Sequence, residues 1–327
     1  MLNDHKSPSQ SHPQDLAKEG QTTHQESNTN ICAARFIIPA LTYLKDLTEM
    51  IKLEHTVFAL PFALLGAITT TRGLPPRDKV MWILTAVVAA RTAAMTFNRL
   101  VDQDIDTNNP RTKNRALPTG RVSQGSAVWL LGASIVAFGY AAGRLGSLPW
   151  NLAPLALLII LSYSVCKRFT LLSHIVLGLS LAVAPLGACI AVNGTIDPPI
   201  WFLAVGVLAW TTGFDIIYAL QDVAFDQEYK LHSIPSRVGV TSALWVSRTM
   251  HIAAVSSWAA FNCTVRAQFL SWTAWFVVTI ILIREQWVVR KGDLERIDHA
   301  FFTLNSMVGV FFFLGHAIEL AFIRLKL

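Results

Sequence analysis

The chain has 327 residues, 53% of them hydrophobic and 15% charged, with a mean hydropathy of +0.44. A soluble domain of this length carries about 25% charged residues, so too little charge remains to coat a water-exposed surface, and the composition points to a bilayer-embedded protein. The 27 Lys and Arg against 21 Asp and Glu give a net charge of +6; the basic residues sit in short connections between apolar runs, where they set membrane orientation, and no nucleic-acid-binding motif is present.

Residues 1–34 are polar, rich in Ser, Gln, Thr, Asn and His, without a repeating apolar face, and read as a disordered tail. Residues 35–327 read as a single membrane domain. Its first part, 35–52, has the mixed character of an amphipathic segment at the membrane surface. Apolar runs then recur at 53–71, 80–101, 124–142, 150–166, 173–193, 200–221, 242–261, 267–284 and 299–323. Each approaches the ~20 residues that a helix needs to cross a bilayer, which predicts an all-α polytopic protein of about nine spans. Placing the N-terminus in the cytoplasm puts about twice as many Lys and Arg on the cytoplasmic side as on the other, which favours that orientation. Cys32, Cys166, Cys189 and Cys263 have no paired spacing and read as apolar fillers.

Two connections, about 102–123 and 222–241, are long, polar and predicted to be cytoplasmic, and each follows an Asp-bearing helix end. In the first, Asn98, Asp102 and Asp106 recur every four residues and share one helix face, while Asp104 falls off it. Two carboxylates and an amide are hard oxygen ligands of the kind Mg²⁺ takes together with phosphate and water. Arg111, Lys113, Arg115 and Arg121 follow directly and can neutralise a bound diphosphate, although membrane topology alone would place some of them there. In the second, Asp222 and Asp226 repeat the spacing, preceded by Tyr218 and by Asp215 deeper in the span. A carboxylate inside a span marks function; Arg91, seven residues before Asn98, is its candidate partner. His316 and Glu319 near the far end of the last span read as a structural pair or a solvated helix end.

NRLVDQDID (98–106) and YALQDVAFD (218–226) resemble the NxxxDxxxD and YxxxDxxxD signatures of UbiA-type intramembrane prenyltransferases, and the likeness extends over roughly residues 45–325. The resemblance implies nine helices around a central cavity, and two Mg²⁺ ions bridging Asn98, Asp102, Asp106, Asp222 and Asp226 to a polyprenyl diphosphate. It places Tyr163 and Lys167 of YSVCK beside the diphosphate. It implies transfer of the prenyl group to an aromatic carboxylate, for which Lys52 and His55 are candidate contacts, with Asp215 either accepting a phenolic proton or ordering the metal site. KLEHTVFALPFALLGA (52–67), FDIIYALQDVAFD (214–226) and LHSIPSRVG (231–239) resemble the 4-hydroxybenzoate-polyprenyltransferase-like branch. HSIPSR favours its menaquinone members of the futalosine route, with 1,4-dihydroxy-6-naphthoate as acceptor, over 4-hydroxybenzoate and ubiquinone synthesis. The expected location is the bacterial inner membrane with the site at the cytoplasmic face. A transporter is the rival class, but transporters place polar groups at the midplane of broken helices, and these acids lie at helix ends.

Overall fold

Pro61 at the start of one helix, the Pro198–Pro199 pair at the start of another, and Ser123 capping a third mark the beginnings of helices that the apolar runs predict. The computed structural model describes residues 42–52, 56, 58–289 and 295–325, with the side chains of 295–302 left aside. The polar tail, residues 35–41 and His55 lie outside the described residues. A first short helix, α1 (42–51), begins in a unit ending at Thr48; everything from Glu49 onward forms a second unit.

The regular elements among that unit's described residues are all helices: α2 (Leu60–Thr71), α3 (Arg77–Val101), α4 (Gln103–Asn108), α5 (Gln124–Leu145), α6 (Ser147–Cys166), α7 (Ser173–Asn193), α8 (Pro198–Tyr218), a 3₁₀ turn (Ala219–Asp222), α9 (Val223–Glu228), α10 (Ile234–Val238), α11 (Val240–Thr264), α12 (Phe269–Val289) and α13 (Glu295–Leu325). Each predicted span falls on a helix. Among the described residues, seven helices are long and apolar enough to cross a membrane. Of the two others, α2 is a 12-residue helix, and α11 is long but interrupted by Arg248, His251 and Asn262.

Neighbouring helices pack in a circuit: α2 on α7, α7 on α8, α8 on α11, α11 on α12, α12 on α13, and α13 back on α2, with α3, α5 and α6 grouped against α7. Lipid tails are as apolar as leucine, so close contact rather than water exclusion holds such helices together. Backbones therefore approach through small residues: a Cβ on Gly66 would meet Pro185 O at 2.7 Å, and one on Gly178 would meet Leu208 O at 2.5 Å. The space between α2, α8, α11 and α13 is filled by rings, with Phe62 stacked on Trp258 at 5.5 Å and Trp258 on Phe312 at 5.2 Å. Polar links cross the same region: Trp210 Nε1 donates to Asn305 Oδ1 at 2.8 Å, and Asn305 Nδ2 to the buried Glu285 Oε1 at 2.9 Å.

The cavity consequently lies to one side rather than in the middle of this circuit. It has a volume of about 290 Å³ and is walled by α3, α5, α6 and α7, with Ile83, Ala94, Phe138, Ile160 and Ala184 on its surface. Glu319 is neither solvated nor paired with His316. Its carboxylate accepts from Gln268 N at 2.8 Å, Ser271 Oγ at 2.8 Å and Ser271 N at 3.0 Å, capping the start of α12. His316 bonds Asn262 Oδ1 at 2.9 Å instead.

Candidate active site

The first acidic segment runs on almost without a break from α3 into α4, since Asp102 N donates to Asn98 O and Asp106 N to Asp102 O at 2.9 and 2.7 Å. The fourfold spacing therefore keeps Asn98, Asp102 and Asp106 on one face. Asn98 Nδ2 donates to Asp102 Oδ2 at 3.0 Å, and Lys167 Nζ reaches the same oxygen at 2.6 Å from the end of α6. The Asp102 side chain is 3% exposed. Burial pushes its pKa above the ordinary carboxylate value, and Lys167 pulls against that. Asp106 is buried; Arg115 Nη1 contacts both of its oxygens at 2.7 Å, and Arg99 Nη1 stands 3.9 Å away. Asp104 points out, as its spacing predicts, and takes Arg168 Nη2 at 2.8 Å, which holds its pKa down and that of Arg168 up.

The loop after the first segment crosses to the second. Asn109 Nδ2 donates to Asp222 Oδ1 at 3.0 Å; Arg111 Nε donates to the same oxygen at 3.0 Å, and Arg111 Nη2 to Asp222 Oδ2. Arg111 also donates to Tyr218 OH at 2.9 Å and lies over its ring at 5.2 Å. Burial alone would lower the Arg111 pKa, but Asp222 and Tyr218 raise it. Asp226 is buried and accepts from Ser233 Oγ at 2.6 Å. Lys167 stands within electrostatic reach of Asp222 and Asp226 as well as on Asp102. The α8 helix tightens to a 3₁₀ turn over Ala219–Asp222, so the second segment is less regular than its i, i+4 spacing suggests.

Of the predicted site residues, Asn98, Asp102, Asp106, Arg111, Arg115, Lys167, Tyr218, Asp222 and Asp226 come together. Lys113 is exposed and contributes a backbone hydrogen bond to Asn109 O at 2.9 Å. Tyr163 and Arg91 line the apolar cavity. Ala94 and Tyr163 precede Asn98 and Lys167 by one helical turn on the same faces, so the cavity lining reaches to within a turn of the site. Lys52 closes the α1 turn at φ 50°, and His55 lies outside the described residues. The Arg91–Asp215 pairing is corrected: the partner of Asp215 Oδ2 is His174 Nδ1, at 2.6 Å. His174, Arg99, Asn109, Arg168 and Ser233 were not singled out by sequence. Arg168 directly follows Lys167 and Asn109 precedes a proline, but only the crossing of helices reveals their targets.

The donor set suits a hard divalent cation. All the groups offered are oxygens, and the buried Asp102 Oδ1 has no hydrogen-bond partner. Among the described residues no group of three or more His, Cys, Asp or Glu converges to hold an ion by itself. Mg²⁺ takes one or two carboxylates and completes its shell with phosphate oxygens and water.

The chain superposes on a solved UbiA homolog from Aeropyrum pernix K1. That protein is 31% identical, and the superposition covers 82% of this chain and 98% of that one at a TM-score of 0.75. A UbiA homolog from Archaeoglobus fulgidus bound to GPP and Mg²⁺ shares the fold at 18% identity, with 84% and 99% coverage and a TM-score of 0.64. Residues 59–307 match the UbiA prenyltransferase family, and the chain belongs to that family. It is also 30% identical over 171 residues to the 4-hydroxybenzoate octaprenyltransferase of Francisella tularensis subsp. mediasiatica (strain FSC147). The match spans 52% of this chain and 60% of the length of that relative.

Proposed function

We propose that this membrane protein transfers a polyprenyl group from polyprenyl diphosphate to a 4-hydroxybenzoate-type aromatic carboxylate in quinone synthesis. The observation that carries the proposal is the clustering of Asp102, Asp106, Asp222 and Asp226 with Lys167, Arg111 and Arg115 at one end of an apolar cavity. Two Mg²⁺ ions would be held by Asn98, Asp102 and Asp106 on one side and Asp222 and Asp226 on the other. When bound, they supply positive charge to the leaving diphosphate, as the Archaeoglobus protein's complex with GPP and Mg²⁺ suggests.

The chain's own residues do the remaining work. Lys167, Arg111 and Arg115, with Lys113 at the rim, are fixed cations for the diphosphate oxygens and stabilise charge as it develops. The allylic C–O bond breaks with its electron pair leaving on the diphosphate. An electron-rich ring carbon of the acceptor then forms the new C–C bond, and loss of the ring proton restores aromaticity. The apolar cavity takes the prenyl chain and keeps water from the allylic cation. Arg91, which lines the cavity with Tyr163, is a candidate contact for the acceptor's carboxylate alongside Lys52 and His55.

The Francisella relative moves the acceptor preference from 1,4-dihydroxy-6-naphthoate to 4-hydroxybenzoate. HSIPSR, which favoured the naphthoate, contacts Lys167, Asp226 and His174 at the acidic end. The bias of Lys and Arg supports a cytoplasmic acidic end, and the inner membrane is the location we propose. Purified protein with Mg²⁺, a polyprenyl diphosphate and each acceptor in turn tests the proposal through diphosphate release and prenylated product. Transfer to neither acceptor sinks it, and transfer to the naphthoate alone overturns the choice of acceptor.

A further inference from the structure

His174 has no task in the chemistry above, yet it is held on both ring nitrogens. It stands in the first turn of α7 with its side chain 4% exposed. Nδ1 lies 2.6 Å from Asp215 Oδ2, and the backbone N–H of Ile234 donates to Nε2 at 3.3 Å. A peptide N–H can only donate, so Nε2 carries no proton; the ring proton is on Nδ1, where it is given to Asp215. One side of the ring is thus tied to α8 and the other to the first residue of α10, where the loop from α9 ends.

That loop has two further ties. His232 N donates to Lys167 O at 2.7 Å, and Ser233 Oγ to Asp226 Oδ2 at 2.6 Å. Ser233 and Ser236 also form a capping box that starts α10. Three successive residues therefore touch the end of α6, an acid of the second segment, and His174. Ser233 is the middle one, so its aim at Asp226 is fixed by an anchor on either side.

We infer that His174, oriented by Asp215, is a positioning residue: it pins the 231–234 loop so that Ser233 holds Asp226 in place for its ligands. The importance of Asp226 rests on the proposed function; the pinning of the loop does not. Asp215 acts here through His174, its Oδ2 accepting the Nδ1 proton.

The test uses the full-length protein in detergent, without Mg²⁺ or substrate, digested by trypsin and followed by mass spectrometry at Lys230, an exposed residue beside the loop. His174→Phe removes both ring bonds and is expected to speed cleavage after Lys230 about tenfold. Asp215→Leu should do the same through His174, and the double variant should be no faster than either single one. His174→Gln can offer an amide oxygen to Ile234 N–H and should recover part of the protection. In transfer assays, His174→Phe should raise the Mg²⁺ concentration for half-maximal rate several-fold without changing KM for the aromatic acceptor. Wild-type cleavage rates in either single variant, or effects that multiply in the double variant, overturn the inference. If His174→Phe does not fold, Asp215→Leu and His174→Gln carry the same comparison. Should the wild type transfer no prenyl group while the digestion pattern holds, the functional proposal falls and the positioning role stands. An active protein whose loop ignores all these changes gives the reverse.

Discussion

Lys167→Met removes a charge from beside a buried carboxylate while keeping an apolar stem. Asp102 Oδ2 has Lys167 Nζ at 2.6 Å and Asn98 Nδ2 at 3.0 Å, and Arg168 Nη2 stands 3.8 Å from Oδ1. A hydrogen bond to a charged group contributes about 1.5–3 kcal/mol, and breaking a fully buried ion pair costs about 3–5 kcal/mol. The Lys167 side chain is 31% exposed, so water screens part of its attraction and the lower range applies, about 2 kcal/mol. The apparent melting midpoint in detergent should fall by about 5 °C. Asp102→Asn in the same background removes the stranded charge, so the two changes together should cost about 1–2 kcal/mol less than their sum. A divalent ion at Asp102 would replace the lost positive charge, so Mg²⁺ should raise the midpoint of Lys167→Met more than that of the wild type, and least in Asp102→Asn. An unchanged midpoint in Lys167→Met, or strictly additive costs, refutes the electrostatic account. Equal Mg²⁺ shifts in all three proteins remove Asp102 from the proposed metal site.

Gly187 lines the cavity, and a Cβ there would meet no atom within 4 Å. Gly187→Leu should therefore keep stability within about 1 kcal/mol of wild type while shifting preference towards shorter prenyl diphosphates, read from KM across a series of donor lengths. Arg91→Leu should raise KM for the aromatic carboxylate about tenfold or more and leave KM for the prenyl donor in place; an equal loss with an uncharged ester of the acceptor would count against a carboxylate contact. Glu319→Ala strips the cap from α12 and should cost about 2–3 kcal/mol in thermal unfolding, with both KM values unchanged because the cap is remote from the acids. Glu319→Gln, keeping one acceptor oxygen, should recover part of that loss.

The parts of the site that were legible in the sequence are those written in short-range spacing. Asn98, Asp102 and Asp106 share a face because a helix repeats every 3.6 residues, and the small break between α3 and α4 does not disturb that. The cations following them were legible as charge but not as geometry: nothing in the spacing says that Arg115 folds back on Asp106 while Arg111 crosses to Asp222. Asp215 shows the limit most clearly. Helical phase put it and Arg91 on faces turned towards the acids, and two opposite charges in a bilayer invite pairing. Which neighbour a buried carboxylate meets depends instead on how closely two helices approach. Gly178 lets α7 lie against α8, which brings His174, one turn away on α7, to Asp215, whereas Arg91 lines the cavity on α3. The same cause lowers the apolarity of α11, whose span was predicted at 242–261: it carries Arg248, His251 and Asn262, and His251 and Asn262 are buried among neighbouring helices. In a membrane bundle a helix face turned to protein can carry polar groups that one turned to lipid cannot. Hydropathy alone therefore underestimates the helices that pack most closely, and a lone histidine in an apolar run becomes informative only when the helix opposite it is known.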